Sequence, residues 1–310
     1  AAPRIQAPMP EQTPAQPPRD NLRGILWMAL FTLCMSAMHA AVRHVSGDLH
    51  PFEIAFFRLL FGFVIVLPWF IKLGWAPLKT RRFGLMSLRG VLNLTCMMAF
   101  FFALSITPLA EVTALMFSAP IFATVLAMAV FGERAGARRW TAIAFGFAGT
   151  LVVLQPGFGT IGLGPMLVLF AAFGWGICMV IIKSLGKTES SVTIITYMSL
   201  VMTPLSLIPA LWVWQWPTDW QWVWLLVIGL LGGAGQMSMT EALRAAETHA
   251  VAPVDFLKLI WISVIAFFAF GEVPGPYTWI GGVMIFGATA FIAWREHVLR
   301  SAPLPRVETT

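Results

Sequence analysis

A chain of 310 residues that is 58% hydrophobic and only 11% charged cannot cover a water-facing surface with polar groups, which excludes an ordinary soluble domain and indicates a membrane protein. The formal net charge is +6, but the basic residues stand in short clusters between apolar runs. The excess is therefore a topology signal and not the footprint of a nucleic-acid partner.

Residues 1–22 are rich in Pro, Gln and Ala without apolar periodicity and read as a disordered tail. The apolar run behind them is too long for the h-region of a signal peptide, and no small-residue cleavage site follows it. A spanning helix needs roughly 20 apolar residues. Ten segments of about that length follow in order, at 24–44, 52–72, 85–105, 109–131, 139–155, 163–183, 191–213, 222–243, 250–270 and 277–295. The fifth is short but compatible with a span. Residues 296–310 form a second tail. Cys34, Cys96 and Cys178 all lie inside these segments, so they read as buried thiols, and neither a disulfide framework nor a metal-binding spacing is present.

Lys and Arg that flank spans are retained in the cytoplasm. With the N-terminus inside, the cytoplasmic segments collect Arg4, Arg19 and Arg23; Lys72, Lys79, Arg81, Arg82 and Arg89; Arg134, Arg138 and Arg139; Lys183 and Lys187; Arg244; and Arg295, Arg300 and Arg306, which is 17 of the 20 basic residues. Only Arg43 falls outside, while Arg58 and Lys258 lie within spans. Both tails are thus expected to be cytoplasmic.

One loop is written twice. FGERAGARRW at 131–140 and FGEVPGPYTW at 270–279 share Phe-Gly-Glu-x-x-Gly-x-x-x-Trp at an offset of 139 residues. Ala103-Leu104 with Ala242-Leu243, Val112 with Val251 and Phe117 with Phe256 agree at the same offset, and Arg43 matches Lys183 near an offset of 140. Five spans per half is an odd number, so the second half enters the membrane inverted. The first loop then ends in the cytoplasm and carries arginines; the second ends outside and carries none. The expected fold is an all-α membrane protein with ten transmembrane helices in an inverted 5+5 repeat, residues 23–155 forming one repeat and 161–295 the other. Such repeats place a substrate site near the midplane between the halves.

Ionisable groups inside spans are expensive and usually face protein or an aqueous cavity. In the first span Thr32, Ser36, His39 and Arg43 share one face, read either as a cavity wall or as hydroxyls bonded back to their own helix beside a packed histidine. Gln236, Thr240 and Arg244 line one face of the eighth, with Glu241 and Arg244 alternatively a self-neutralising pair. In the ninth, Asp255 and Lys258 are three apart and share a face. They read as a structural pair, as a site for the charged groups of a zwitterion, or with Asp255 as a proton-coupling acid. Arg58 is a candidate substrate-carboxylate contact or a latch to Glu53, and Glu111 a candidate gate. Phe117 and Trp175 are candidate aromatic contacts for a substrate or ordinary packing residues. Pro120 is expected to bend its span. Gly146, Gly149, Gly281, Gly282 and Gly287 are expected to pack helices closely.

Three stretches carry a family resemblance. These are HPFEIAFFR, ALSITPLAEVTALMFSAPIFATVLAMAVFGE, and EALRAAETHAVAPVDFLKLIWISVIAFFAFGE. Over residues 24–295 the sequence resembles the drug/metabolite transporter superfamily, specifically its ten-helix EamA-type members. PVDFLKLIW looks most like the bacterial group labelled by analogy with S-adenosylmethionine uptake. The resemblance implies a secondary transporter for a small organic metabolite, in the class of amino acids or their derivatives, working by alternating access without a cofactor or metal. A homodimer is compatible with it. Phosphate-binding glycine motifs and His-Glu-x-x-His are absent from the sequence, so an enzyme is not expected. A lipid or lipid-precursor flippase and a non-transporting scaffold remain the alternatives.

Overall fold

The computed structural model describes residues 21–73, 80, 82–132, 136–155, 162–185, 188–189, 191–246 and 251–301. Of the expected tails, 1–22 and 296–310, residues 1–20 and 302–310 lie outside the described residues, as do Glu133 and Arg134 of the first repeated loop, while helix extends over 21–22 and 296–301. Among the described residues every regular element is helical. In chain order they are α1 (Asn21–Val45), α2 (Pro51–Leu73), α3 (Phe83–Ile106), α4 (Leu109–Met116), α5 (Ala119–Phe131), α6 (Ala137–Leu154), α7 (Leu163–Leu185), α8 (Ser191–Trp212) and α9 (Asp219–Ala245). A 3-10 turn, Ala252–Phe256, then leads into α10 (Leu257–Phe270), and α11 (Pro276–Ser301) follows.

Seven helical stretches among the described residues are long and apolar enough to cross a membrane: Asn21–Val45, Phe83–Ile106, Leu109–Phe131, Leu163–Leu185, Asp219–Ala245, Pro253–Phe270 and Pro276–Arg295. Their outward faces stay apolar. Leu26, Leu30 and Leu33 of α1, Met166, Phe170 and Phe173 of α7, and Val264, Phe267 and Phe268 of α10 are all exposed, a surface suited to lipid and not to water.

The sequence explains where these helices stop and bend. Gly132 and Gly271 close α5 and α10 with φ of 65° and 68°, the left-handed geometry that glycine adopts without strain. Both belong to the repeated Phe-Gly-Glu motif, so its glycine is repeated in backbone conformation as well as in residue type. Pro120 has no N–H to donate, and the helix breaks just before it at Phe117 and Ser118. The chain tightens there, with Phe117 N donating to Ala114 O at 3.3 Å and Ser118 N to Leu115 O at 3.0 Å. The equivalent region of the second half is the 3-10 turn ending at Phe256.

The helices pack in matched pairs. α1 lies along α9 and α3 along α7; α5 meets α7 and α10 meets α1; α2 meets α9 and α8 meets α3. α6 lies along α11, where Gly149 and Gly281 allow close approach. A Cβ on Gly149 would stand 2.9 Å from Gly281 O, and one on Gly281 would stand 2.6 Å from Gly149 O. Gly146 and Gly282 also meet side chains of neighbouring helices, but a Cβ on Gly287 would meet nothing within 4 Å. The expectation of close packing therefore fails at Gly287, which lies on the exposed face of α11.

Candidate substrate site

The ninth segment carries the charged pair that the sequence singles out. Asp255 ends in the 3-10 turn and Lys258 begins α10, and Lys258 Nζ lies 2.5 Å from Asp255 Oδ1, both side chains partly buried. The ammonium also stands 4.4 Å from the centroid of the Phe31 ring, an attractive cation–π geometry. Ser36 of α1 donates to the backbone oxygen of Lys258 at 3.3 Å, tying α1 to this turn. Thr32 bonds back to Ala29 O at 2.7 Å. The first-span stripe is thus divided, with Thr32 satisfied by its own helix and Ser36 reaching across.

His39 meets Phe100 edge-on, with ring centroids 5.1 Å apart; its neighbour Met38 accepts from Arg58 Nε at 3.3 Å, and Ser36, three residues before it, reaches Lys258. Arg43, expected on the same wall, is not part of this group. Its Nη1 donates to Leu104 O at 2.9 Å and its Nη2 to Glu272 Oε1 at 3.2 Å, while Glu272 Oε2 accepts from Leu109 N at 3.0 Å. The last turn of α1 is thereby pinned to the start of α4 and to the second Phe-Gly-Glu loop. Arg43 is a clamp because it sits where two carbonyls and a carboxylate converge.

Arg58 does not pair with Glu53. The Glu53 carboxylate is fully buried and accepts from Gln215 N at 3.3 Å. Arg58, roughly 7.5 Å further along α2 at about 1.5 Å per residue, points elsewhere. Its Nε donates to Met38 Sδ at 3.3 Å, its Nη1 to Met97 Sδ at 3.2 Å, and the guanidinium lies 5.8 Å from the Phe101 centroid. The absence of a side chain at Gly232 leaves the room: a Cβ there would stand 3.3 Å from Arg58 Nε. α1, α2, α3 and α9 therefore meet at this one guanidinium.

Trp175 of α7 donates through Nε1 to Asn93 Oδ1 at 2.5 Å and lies 5.3 Å from Phe100. It joins His39 through that ring. Asn93 Nδ2 reaches Met202 Sδ at 3.2 Å, and Arg89 Nη2 reaches Met198 Sδ at 3.6 Å. Arg89, assigned above to a cytoplasmic segment, is buried inside α3. Arg89, Asn93, Met97 and Phe101 recur every four residues and so share one face. Sequence reasoning missed this stripe because Arg89 was read only as a topology marker, although the spacing was there to be seen. Glu272 was missed as the clamp for Arg43, since no local pattern links residues 229 positions apart.

The other candidates are placed less centrally. Gln236 and Thr240 are exposed on α9, and the Thr240 hydroxyl bonds back to Gln236 O at 2.9 Å. Arg244 Nη1 meets Glu241 Oε1 at 3.1 Å on the exposed end of α9, the self-neutralising pair. Phe117 stacks on Phe256 with centroids 6.1 Å apart, and both pack on Phe286, so Phe117 is committed to an aromatic core. Glu111 is partly buried in the first turn of α4 and has no hydrogen-bond or ion-pair partner among the described residues. Cys34, Cys96 and Cys178 are free and buried. Among the described residues no group of three or more His, Cys, Asp or Glu could hold a metal ion.

These elements recur in known proteins. The EamA-like transporter family matches the chain twice, over residues 22–155 and 162–294. The chain is 30% identical over 278 residues to the S-adenosylmethionine uptake transporter of Rickettsia prowazekii (strain Madrid E), covering 90% of this chain and 95% of the relative. It is 31% identical over 280 residues to the riboflavin transporter of Vibrio cholerae serotype O1, covering 89% and 94%. A solved crystal structure shares the fold, with a TM-score of 0.61 and 16% identity over 91% of this chain and 98% of that one. The protein is a multi-pass α-helical membrane protein that belongs to the EamA-like transporter family.

Proposed function

We propose that this protein is a secondary transporter of the bacterial inner membrane that moves a small organic metabolite, in the class of amino acids or their derivatives, by alternating access. The observation that carries the reading is the meeting of polar and charged groups of α1, α2 and the ninth segment inside otherwise apolar spans: Arg58 bonds Met38 beside His39, and Ser36 bonds the backbone of Lys258, which pairs with Asp255. Such groups are costly in a bilayer and mark solute paths. Relatives named for S-adenosylmethionine and riboflavin uptake support small metabolites as cargo.

In this reading the chain spans the membrane ten times as an inverted 5+5 repeat of residues 23–155 and 161–295, with α4 and α5 forming one bent span and both tails cytoplasmic. The packing supports it. Exchanging the halves turns α1 on α9 into α7 on α3, and α2 on α9 into α8 on α3. Phe117 and Phe256, equivalent in the repeat, touch each other, as side chains beside a two-fold axis must. The Arg43–Glu272–Leu109 clamp holds the outer end of the path closed, with Glu111 beside it as the gate. Asp255, paired with Lys258 in this state, takes up a proton when the pair separates.

Purified protein in proteoliposomes, offered S-adenosylmethionine, riboflavin and a mixture of amino acids, tests the reading. Flux of at least one solute above that of protein-free vesicles is expected. Flux indistinguishable from those vesicles for every solute would contradict it.

A further inference from the structure

We infer that Arg58 is the docking point for an anionic oxygen group, a carboxylate or a phosphoryl group, on the transported solute. The inference rests on the transporter reading and adds what the site demands of its cargo.

Arg58 is a half-buried cation within an apolar span, yet no carboxylate among the described residues lies within ion-pair distance of it. Its partners are the Met38 and Met97 thioethers and the face of Phe101. Thioether sulfur is a weak acceptor, and only two of the five guanidinium N–H groups are engaged. A half-buried cation with such partners is left poorly compensated. The other charges of the cluster do not help, because Asp255 is occupied by Lys258. Arg58 is therefore the excess positive charge of the group. A guanidinium presents parallel donors that match the two oxygens of a carboxylate or phosphoryl group. Flexible methionines can give way to such a ligand at little cost, since the bonds displaced are weak. Gly232 keeps the α9 side of the guanidinium free of any side chain.

Arg89 has similarly soft surroundings, but it lies within about 9 Å of the start of α3 at about 1.5 Å per residue. There, retention of positive charge at the cytoplasmic side accounts for a basic residue. No such account serves Arg58.

The test reads the charge of the site directly. His39→Cys is introduced into full-length protein carrying Cys34→Ala, Cys96→Ala and Cys178→Ala. It is then labelled in proteoliposomes with an anionic (sulfonatoethyl) and a cationic (trimethylammonioethyl) methanethiosulfonate. The anionic reagent should react about tenfold faster than the cationic one, the low end for a cleft lined by one sign of charge. Arg58→Gln should remove the preference, and Arg58→Lys, which keeps the charge, should retain most of it. Acetate or inorganic phosphate should slow labelling, and which of them does so assigns a carboxylate or a phosphoryl ligand. Equal rates for the two reagents, a preference that survives Arg58→Gln, no labelling by either reagent, or slowing by neither anion overturns the proposal. Solute flux by the unmodified protein separates the two failures. Flux without an Arg58-dependent preference keeps the transporter and loses the anion site, whereas the preference without flux does the reverse.

Discussion

Arg43 and Arg58 stand fifteen positions apart in the sequence on adjoining helices, yet they have opposite surroundings. Arg43, at the end of α1, is held by a carboxylate and two backbone oxygens. Arg58, inside α2, touches two sulfurs and a ring. A satisfied cation stabilises the fold that satisfies it. One left with weak partners costs stability and persists when something else selects for it. The contrast separates a clamp from a site without reference to any relative.

The comparison can be broken most decisively at Arg58. Replacement by Met, similar in length and uncharged, should lower solute uptake by about a hundredfold or more, the equivalent of about 3 kcal/mol of lost charged contact. Thermal unfolding of the solubilised protein should be unchanged or shifted upward, because a poorly compensated, half-buried charge has gone. A large drop in melting temperature would make Arg58 a second clamp.

Asp255→Asn should abolish accumulation driven by a proton gradient while leaving counterflow exchange between equal pools, since exchange needs reorientation but no net proton movement. Unchanged accumulation would remove Asp255 as the coupling acid. Loss of both activities in a folded protein would assign it to substrate binding.

Arg43→Met should show the inverse of Arg58→Met. The fold should lose about 2–3 kcal/mol, as expected for a charge-assisted bond and its stranded partner, measured as a lowered unfolding midpoint. Glu272→Gln keeps an acceptor for Leu109 N and loses only the charge, so about 1 kcal/mol is expected, and the double variant should cost less than the sum of the two. At the small end, Glu241→Gln at the exposed Arg244 pair should change stability by no more than about 0.5 kcal/mol. Equal losses at Arg43 and Arg244 would mean that burial does not set the ranking.

Much of the fold is visible in the residue order, and the reason is periodicity. Apolar runs mark the helices, and Gly132 and Gly271 mark two helix ends whose shared backbone turn is confirmed by their φ angles. Pro120 likewise marks the break of the fourth segment. The site was legible where its chemistry is local: Asp255 and Lys258, three apart on one turn, form the expected pair. It was not legible where partners come from distant segments. Whether Arg58 met Glu53 or Met38 and Met97 depended on side-chain direction around α2, which spacing alone does not fix. Trp175 found Asn93 across the boundary between the halves, a pairing invisible until α3 and α7 are laid together. Gln236, placed with Thr240 on one face of its helix, is exposed, while α9 directs its small residues Gly232 and Gly235 toward its neighbours.

The most direct measurement is a comparison of solutes carried by two preparations of proteoliposomes, one with the unaltered protein and one with equal amounts of Arg58→Met, both exposed to a bacterial metabolite extract. The account predicts that at least one small organic solute bearing a carboxylate or phosphoryl group accumulates with the unaltered protein and fails to do so with the variant. Identical solute profiles for the two preparations, or no accumulation by either, would contradict it.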